Sequence, residues 1–416
     1  MSIGVGVIGT GVMGAEHARI LRQETPGAHL AGVFDADAAR ARAVASGTAV
    51  FSDPRSLITS AQVDAIVIAS PDATHAALTL SCIEARKPVL CEKPLASSAA
   101  EALNVVQAEV ALGRRLIQVG YMRRFDPGYQ EIKRVKDAGG VSGTVLLHNV
   151  HRNVRAPDWF TGQMALTNSF VHEIDISRWL LGSEIVSAHV ASGPGGEPLM
   201  ITMETDKNEI ISTEVFVNAT YGYHVHAELV GRQGTVALAR PSLTLWNRDR
   251  AGGHSYPDNW VPRFQDAYRR QMADWVRAVK TGNSVGASAW DGYVASAIAE
   301  QIAETLAGSR AATLKYGPRP RCMTDGDRAN EAGRKSPSVP RYPTANLGRG
   351  NDDQVRRRWR RLDFATSVPA GSRTVCKLTG YRDRDWRSGQ GCTVGGLLWC
   401  RPDRKLRRLR CSSDKP

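Results

Sequence analysis

"IGVGVIGTGVMG" (residues 3–14) is a short apolar, β-branched run that breaks into glycines, and "GAEHARILRQE" (14–24) behind it reads as a helix. Its second half, "GTGVMG" (9–14), fits the pattern G-x-G-x-x-G. Gly9 permits a tight turn, Gly11 lets backbone approach a pyrophosphate, and Gly14 lets helix and strand pack closely. The pyrophosphate then rests against the open N–H groups and the positive dipole end of the helix. Glycines punctuate many loops, so context decides: a strand before, a helix after, and an acidic residue about 20 positions on. Asp35, at the end of "LAGVFD" (30–35), completes the set. The stretch predicts a dinucleotide site formed by Gly9, Thr10, Gly11, Val12, Met13 and Gly14, with Asp35 accepting from ribose hydroxyls. A carboxylate there repels a 2′-phosphate, so the expected cofactor is NAD rather than NADP. The plainer reading of Asp35 is a strand-end cap.

Outward from this turn, strands and helices alternate. "DADAARARAVASG" reads as a helix, "VDAIVIAS" (63–70) as a strand and "THAALTLSCIEAR" (74–86) as a helix. "KPVLCEKP" (87–94) is a strand running into proline, "SSAAEALNVVQAEVALG" a capped helix and "RLIQVGYM" a closing strand. Strands alternating with helices of about 10–15 residues predict a doubly wound parallel sheet, covered on both faces, over residues 1–121. The texture changes near residue 122. "TVLLHNVHRN", "IVSAHVASG", "LMITMETDKNEIISTEVFVNATYGY" and "HVHAELVGRQGTVALAR" are longer strands with partial alternation. They predict an α+β domain over 122–320 with a large, open-faced, mostly antiparallel sheet. "FQDAYRRQMADWVRAVKTGN" sets Phe264, Tyr268, Met272, Trp275 and Val279 on one stripe and stops at Gly282, an amphipathic helix with a C-terminal signal.

The formal charge of +13 on 416 residues suggests a nucleic-acid or membrane binder until it is located. Residues 321–416 hold 23 Lys+Arg against 10 Asp+Glu, so residues 1–320 are neutral. Cysteine divides the same way, with Cys82 and Cys91 in the body and five in the tail. Two scattered cysteines make no disulfide framework, which points to a reducing cytoplasm. The opening residues lack a basic n-region and read as a strand rather than a signal peptide. No run reaches about 18 apolar residues, so no membrane span is expected.

Two further stretches carry chemistry. "CEKP" (91–94) places Lys93 beside a strand-ending proline, at the carboxyl edge where open α/β sheets bind ligands. A cis proline there would fix the lysine's direction. "MALTNSFVHEIDISRWLLG" (164–182) sets Asn168, His172 and Asp175 at i, i+4 and i+7, one face of a helix. Such a histidine is either a held core residue or a proton carrier.

Together "GVGVIGTGVMG…HARIL", "VIASPDATHAALTLSCIEARKPVLCEKPLA", "GYMRRFDPGYQEIK" and "HEIDISRWLLG" resemble the Gfo/Idh/MocA family, the glucose–fructose oxidoreductase and inositol dehydrogenase group, over roughly residues 3–317. "QVGYMRRFDPGY" is most similar to the inositol 2-dehydrogenase branch. The resemblance implies a Rossmann domain followed by an open-faced α/β domain whose sheet makes homo-oligomer contacts, giving a dimer or tetramer. It implies that Lys93 contacts the substrate hydroxyl and the cofactor, that His172 is the acid/base, and that Asp175 is a polar neighbour in the site. Met122 and Arg123 match a substrate-lining pair, Asn153 a polar wall and Tyr223 a further contact. Ser70, Pro71 and His75 match the loop beside the nicotinamide, and Glu92 the cofactor side of the EKP motif. The plainer readings are a helix start for His75 and a solvated charge pair for Arg123 and Arg124. The inositol enzymes usually carry D-x-x-x-H; here residue 168 is Asn, which holds an imidazole by hydrogen bonding but supplies no charge. No metal is required, and the histidines of "HNVHRN" and "YHVHAE" read as ordinary strand residues.

The expected reaction is NAD-dependent oxidation of a secondary alcohol of a cyclic polyol or sugar to a ketone. Two other classes compete: an NAD-binding sensor of the same fold, and nucleic-acid binding through "RRRWRR" (356–361) and "RKLRRLR" (404–410). Nucleic acid is not the expected partner. Residues 321–416 lose all hydrophobic period, and their scattered cysteines fit no zinc spacing. A shifted reading frame accounts for such composition, with an evolved basic extension as the alternative. Either predicts disorder.

Overall fold

The computed structural model describes residues 2–158, 160, 162–239, 244–306, 311–320 and 323. Its first sheet contains β1 (Ile3–Ile8), β2 (Ala28–Phe34), β3 (Ala49–Val50), β4 (Ala65–Ile68), β5 (Val89–Cys91) and β6 (Ile117–Val119). All neighbours are parallel, in the order β3-β2-β1-β4-β5-β6. Every residue of β1, β4 and β5 is buried, as expected of strands covered on both faces. The covering helices are α1 (Val12–Gln23), α2 (Ala38–Ala45), α3 (Pro54–Thr59), α4 (His75–Glu84) and α5 (Ala99–Leu112). Asp37, Asp53 and Ser98 cap three of them through side-chain oxygens. Strand order reverses between β1 and β4, and ligands bind at the carboxyl ends flanking such a switch.

After α6 (Pro127–Asp137) comes β7 (Thr144–Arg152), then α7 (Val171–Leu181), β8 (Ile185–Ser192), β9 (Leu199–Thr205), β10 (Ile210–Phe216), β11 (His224–Gly231) and β12 (Gly234–Ala237). A hairpin, β13 (Trp246–Arg248) and β14 (Ala251–Gly253), precedes α8 (Trp260–Thr281), α9 (Ala289–Leu306) and β15 (Ala311–Thr313). The second sheet runs β12-β11-β7-β10-β9-β8-β15. It is antiparallel except at β7 and β10. Strand β9 alternates buried and exposed residues strictly, so one face is core. Helices α7 and α9 pack against this sheet, while Val186, Met200 and Ile210 remain exposed. The expected α/β architecture, a parallel Rossmann sheet followed by a mostly antiparallel one, is present.

Chain order and packing order part at the end. Helix α8 buries Phe264, Tyr268, Met272 and Trp275 and stops at Gly282 in the left-handed region, as its pattern predicts. Yet α9 lies against the first sheet's layers as well as the second, and α8 packs on α1 and the turn Met122–Phe125. Ala99 N donates to Glu300 Oε1 at 2.7 Å, and Val119 N to the Ala287 carbonyl at 2.9 Å. These bonds tie together the proposed domains 1–121 and 122–320.

Met323 is buried within the hydrophobic core. The packed chain therefore passes residue 320, where the enzyme body was expected to end. The remainder of the 321–416 tail, with both basic runs and its five cysteines, lies outside the described residues. No described helix is long and apolar enough to cross a membrane.

Candidate active site

Where β1 ends, Gly9 takes φ +86°, a left-handed turn that favours glycine. A β-carbon on Gly14 would overlap the Gly9 carbonyl oxygen, whereas one on Gly11 would meet nothing within 4 Å. Helix α1 opens with no side-chain cap and no acidic residue in its first turn, leaving its N–H groups for a ligand. Val12 is 67% exposed above the turn, while Met13 Sδ accepts from Trp260 Nε1 of α8. Asp35 Oδ2 accepts from Thr10 N at 2.7 Å and Thr10 Oγ1 at 2.9 Å, and Oδ1 from Asp37 N at 2.8 Å. Burial works against its charge, but these bonds outweigh it and hold the carboxyl below its ordinary range. Open N–H groups, free space over Gly11 and an anionic carboxylate fit the pyrophosphate and ribose of a dinucleotide.

The next two loops carry the remaining residues that were expected on the cofactor side. Pro71 is exposed, and Ser70 Oγ bonds Thr74 Oγ1 at 2.6 Å. His75 starts α4, as its plainer reading has it, and also clamps two loops. Its Nδ1 lies 2.7 Å from the Pro94 carbonyl and its Nε2 2.8 Å from the Ser70 carbonyl. Two acceptors require two N–H donors, the imidazolium. Burial opposes that charge; Cys91 and the two carbonyls outweigh it and push His75 up to about 10. Glu92 turns inward, its Oε1 2.7 Å from His17 Nε2 of α1. Its carboxylate braces α1 and faces away from open solvent. The Lys93–Pro94 bond is cis.

Lys93 Nζ donates to Asn168 Oδ1 at 3.0 Å and to the Asn168 carbonyl at 3.2 Å. Burial lowers the lysine's pKa; Glu92 and Asp72 oppose the shift. Here the structure corrects a sequence expectation. Residues 164–182 are not one α-helix: Ala165–Phe170 form a π-helical turn, and α7 begins only at Val171. The i, i+4, i+7 face is broken at its first member. Asn168 spends its amide on Lys93 and Asp72, Asp175 spends its carboxylate on Arg124, and His172 Nδ1 has no hydrogen-bond partner among the described residues.

His172 is 8% exposed. Burial chiefly, with the charges of Arg123, Lys93 and His151, drives its pKa well below the ordinary value, so it is neutral. Tyr121 meets it edge-on, and His151 stands at a ring distance of 6.3 Å. His151 was expected to be an ordinary strand histidine. It faces inward from β7 and shares a buried network with Glu173, which accepts at 2.9 Å and pairs with Arg123. Glu173 is fully buried beside the proposed base. Sequence reasoning missed both; a glutamate inside an apolar helix stretch was the available signal.

Arg123 and Arg124 are not a solvated pair. Arg123 is 1% exposed and committed to Glu173. Arg124 donates to both Asp175 oxygens, at 3.0 and 2.6 Å, and Asp291 lies 3.5 Å away. Burial raises Asp175 despite Arg124, and the cluster reads as a brace beneath the site. Met122 is buried in the turn Met122–Phe125, and Tyr223 is buried with its ring 6.0 Å from His151. Asn153, two residues after His151, falls on the same face of the strand line. The fold thus gathers Lys93, Asn168, His172, His151 and Tyr223, at the carboxyl ends of the parallel strands.

Two family models match this chain: an oxidoreductase family with an NAD-binding Rossmann fold at residues 3–121, and that family's C-terminal alpha/beta domain at 138–314. An inositol 2-dehydrogenase 1 of Saccharopolyspora erythraea is 51% identical over 312 residues, 72% of this chain and 93% of the relative. An inositol 2-dehydrogenase of Acidothermus cellulolyticus is 38% identical over 330 residues, 77% of this chain and 97% of the relative. Among solved structures, a myo-inositol dehydrogenase from Lactobacillus casei, in complex with NAD(H) and myo-inositol, superimposes with a TM-score of 0.75 at 29% identity. That likeness covers 78% of this chain and 100% of the other. With a Rossmann turn open to a dinucleotide and a lysine–histidine site beside it, this chain belongs to the Gfo/Idh/MocA family of NAD-binding oxidoreductases.

Proposed function

We propose that this chain is an NAD-dependent dehydrogenase that oxidises a secondary alcohol of a cyclic polyol, in the manner of an inositol 2-dehydrogenase. The observation that carries the reading is a buried, neutral His172 with an unpartnered Nδ1, in electrostatic reach of Lys93. NAD, when bound, supplies the hydride acceptor. Gly9, Gly11, Gly14 and Asp35 hold it, and Ser70, Pro71 and the loop behind His75 border its reacting end. Met122, Asn153 and Tyr223 border the polyol. Lys93, as the ammonium, donates to the reacting hydroxyl and steadies the negative charge that builds on its oxygen. The His172 imidazole takes the hydroxyl proton as the C–H bond gives up its hydride, so one alcohol yields one ketone, one proton and one hydride. Asp175 and Glu92 act behind these groups, holding Arg124 and α1.

Support for a homo-oligomer comes from the exposed face of the second sheet, where Val186, Met200 and Ile210 remain uncovered. Cys82 and Cys91 are free thiols, as a reducing cytoplasm keeps them. The test of function is a screen of NAD reduction over inositols, sugars and sugar acids. Turnover with an inositol is expected; NAD binding without turnover on any of them would favour a sensor.

A further inference from the structure

An amide can face a cation with its oxygen or, after a half-turn, with its NH₂. At Asn168 the choice is made from behind. Its Nδ2 donates to Asp72 Oδ2 at 3.1 Å, while its Oδ1 accepts from Lys93 Nζ at 3.0 Å. An ionised carboxylate only accepts and an ammonium only donates, so one orientation alone satisfies both neighbours. Asp72 belongs to the turn Asp72–Thr74 after β4, 96 residues from Asn168 in the chain. It is part-buried.

We propose that Asp72 is a positioning residue for the reaction: acting through the Asn168 amide, its carboxylate aims Lys93 and supplies the negative charge that residue 168 lacks. The proposal rests on Lys93 being a group of the reacting site. Around Lys93 the charged groups are Glu92, Asp72 and Glu173, which favour the ammonium, and Arg123, which opposes it. Glu92 already accepts from His17, and Glu173 is held by Arg123 and His151. Asp72 is the carboxylate bonded to the lysine's own hydrogen-bond partner. Removing its charge lowers the lysine's pKa, so the alkaline limb of the rate profile, where Lys93 loses its proton, moves to lower pH.

The experiment is a charge exchange: Asp72→Asn, Asn168→Asp and the double variant, with Lys93→Ala as reference. Each is assayed for kcat and KM from pH 6 to 10, by NAD reduction with a polyol that the parent oxidises, and thermal melting checks the fold. Asp72→Asn is expected to lower kcat roughly tenfold, the worth of one charge-assisted hydrogen bond. Its alkaline limb is expected to fall by about one pH unit. Asn168→Asp alone sets two carboxylates together and is expected to be impaired above the pH at which their shared proton leaves. The double variant restores a single carboxylate, now directly on Lys93, and is expected to recover most of the turnover and the limb. A merely structural Asp72 would lower melting temperature without moving the limb and without rescue. If Lys93→Ala is crippled but Asp72→Asn keeps the parental kcat and limb, or the double variant is no better than either single, the proposal is overturned. If Lys93→Ala keeps parental turnover, the reading of the site falls first and this proposal with it.

Discussion

Tyr121 and His172 meet edge to face, their ring centroids 5.9 Å apart at 82°. The contact buries the imidazole, and burial together with the nearby charges of Arg123, Lys93 and His151 disfavours its charged form. A base must be neutral to accept a proton, and this one stays neutral below the ordinary histidine value. The acid limb of kcat/KM is therefore expected below about pH 6.5. A pH–rate profile of the parent checks this; a limb at or above the ordinary value would mean that His172 is solvated in the working site.

The proposed role of Asp35 is to set cofactor choice. The parent is expected to prefer NAD over NADP in kcat/KM, and Asp35→Ala to narrow the difference by removing the charge that repels a 2′-phosphate. Arg40, 3.9 Å from Asp35 Oδ2, then keeps only Asp37, at 3.4 Å, as a carboxylate neighbour. Parallel kinetics with the two cofactors measure it, and equal use of both by the parent would refute the assignment.

His75 links stability to pH. Its pKa is raised in the folded protein, so its contribution is full below the unfolded value near 6.5. It is lost as pH climbs through about 10. His75→Gln, whose N–H donors sit on one nitrogen where two separate positions are needed, is expected to cost roughly 2–3 kcal/mol at pH 6 and progressively less from about pH 6.5 to 10. Denaturant unfolding across that range tests the slope. A loss that does not change with pH would show a neutral ring.

The end of the packed chain is also testable. A protein ending just after Met323, the last described residue, keeps that buried side chain. It is expected to match the full chain in melting temperature and turnover. Ending at Pro320 removes a buried methionine worth about 1.5–3 kcal/mol and should melt earlier. If the protein ending just after Met323 also melts early, this boundary is wrong.

Much of the fold was legible because its signals are local. The glycine turn, the buried run of β1, the α8 stripe and its Gly282 stop each follow from a few neighbouring residues. Lys93 and His172 each stand in a short motif, and the structure brings the two into one cluster. What escaped depends on partners far apart in sequence. The π-helical turn before α7 leaves no mark in residue spacing, yet it sends Asn168 toward Lys93 rather than into line with His172. The buried set of Arg123, His151 and Glu173 joins a turn, a strand and a helix, and none of the three announces the others. Burial likewise converted Arg123 and Arg124 from a plausible surface pair into paired core charges.

The most direct test of the account is the turnover of His172→Ala, measured as NAD reduction with the polyol that the parent oxidises, alongside its NAD affinity. The account predicts a fall in kcat of roughly 10²–10⁴, the usual contribution of an acid–base group, with NAD binding intact. Lys93→Ala should fall by a similar factor. A His172→Ala protein that turns over at the parental rate would contradict the account and return His172 to the core.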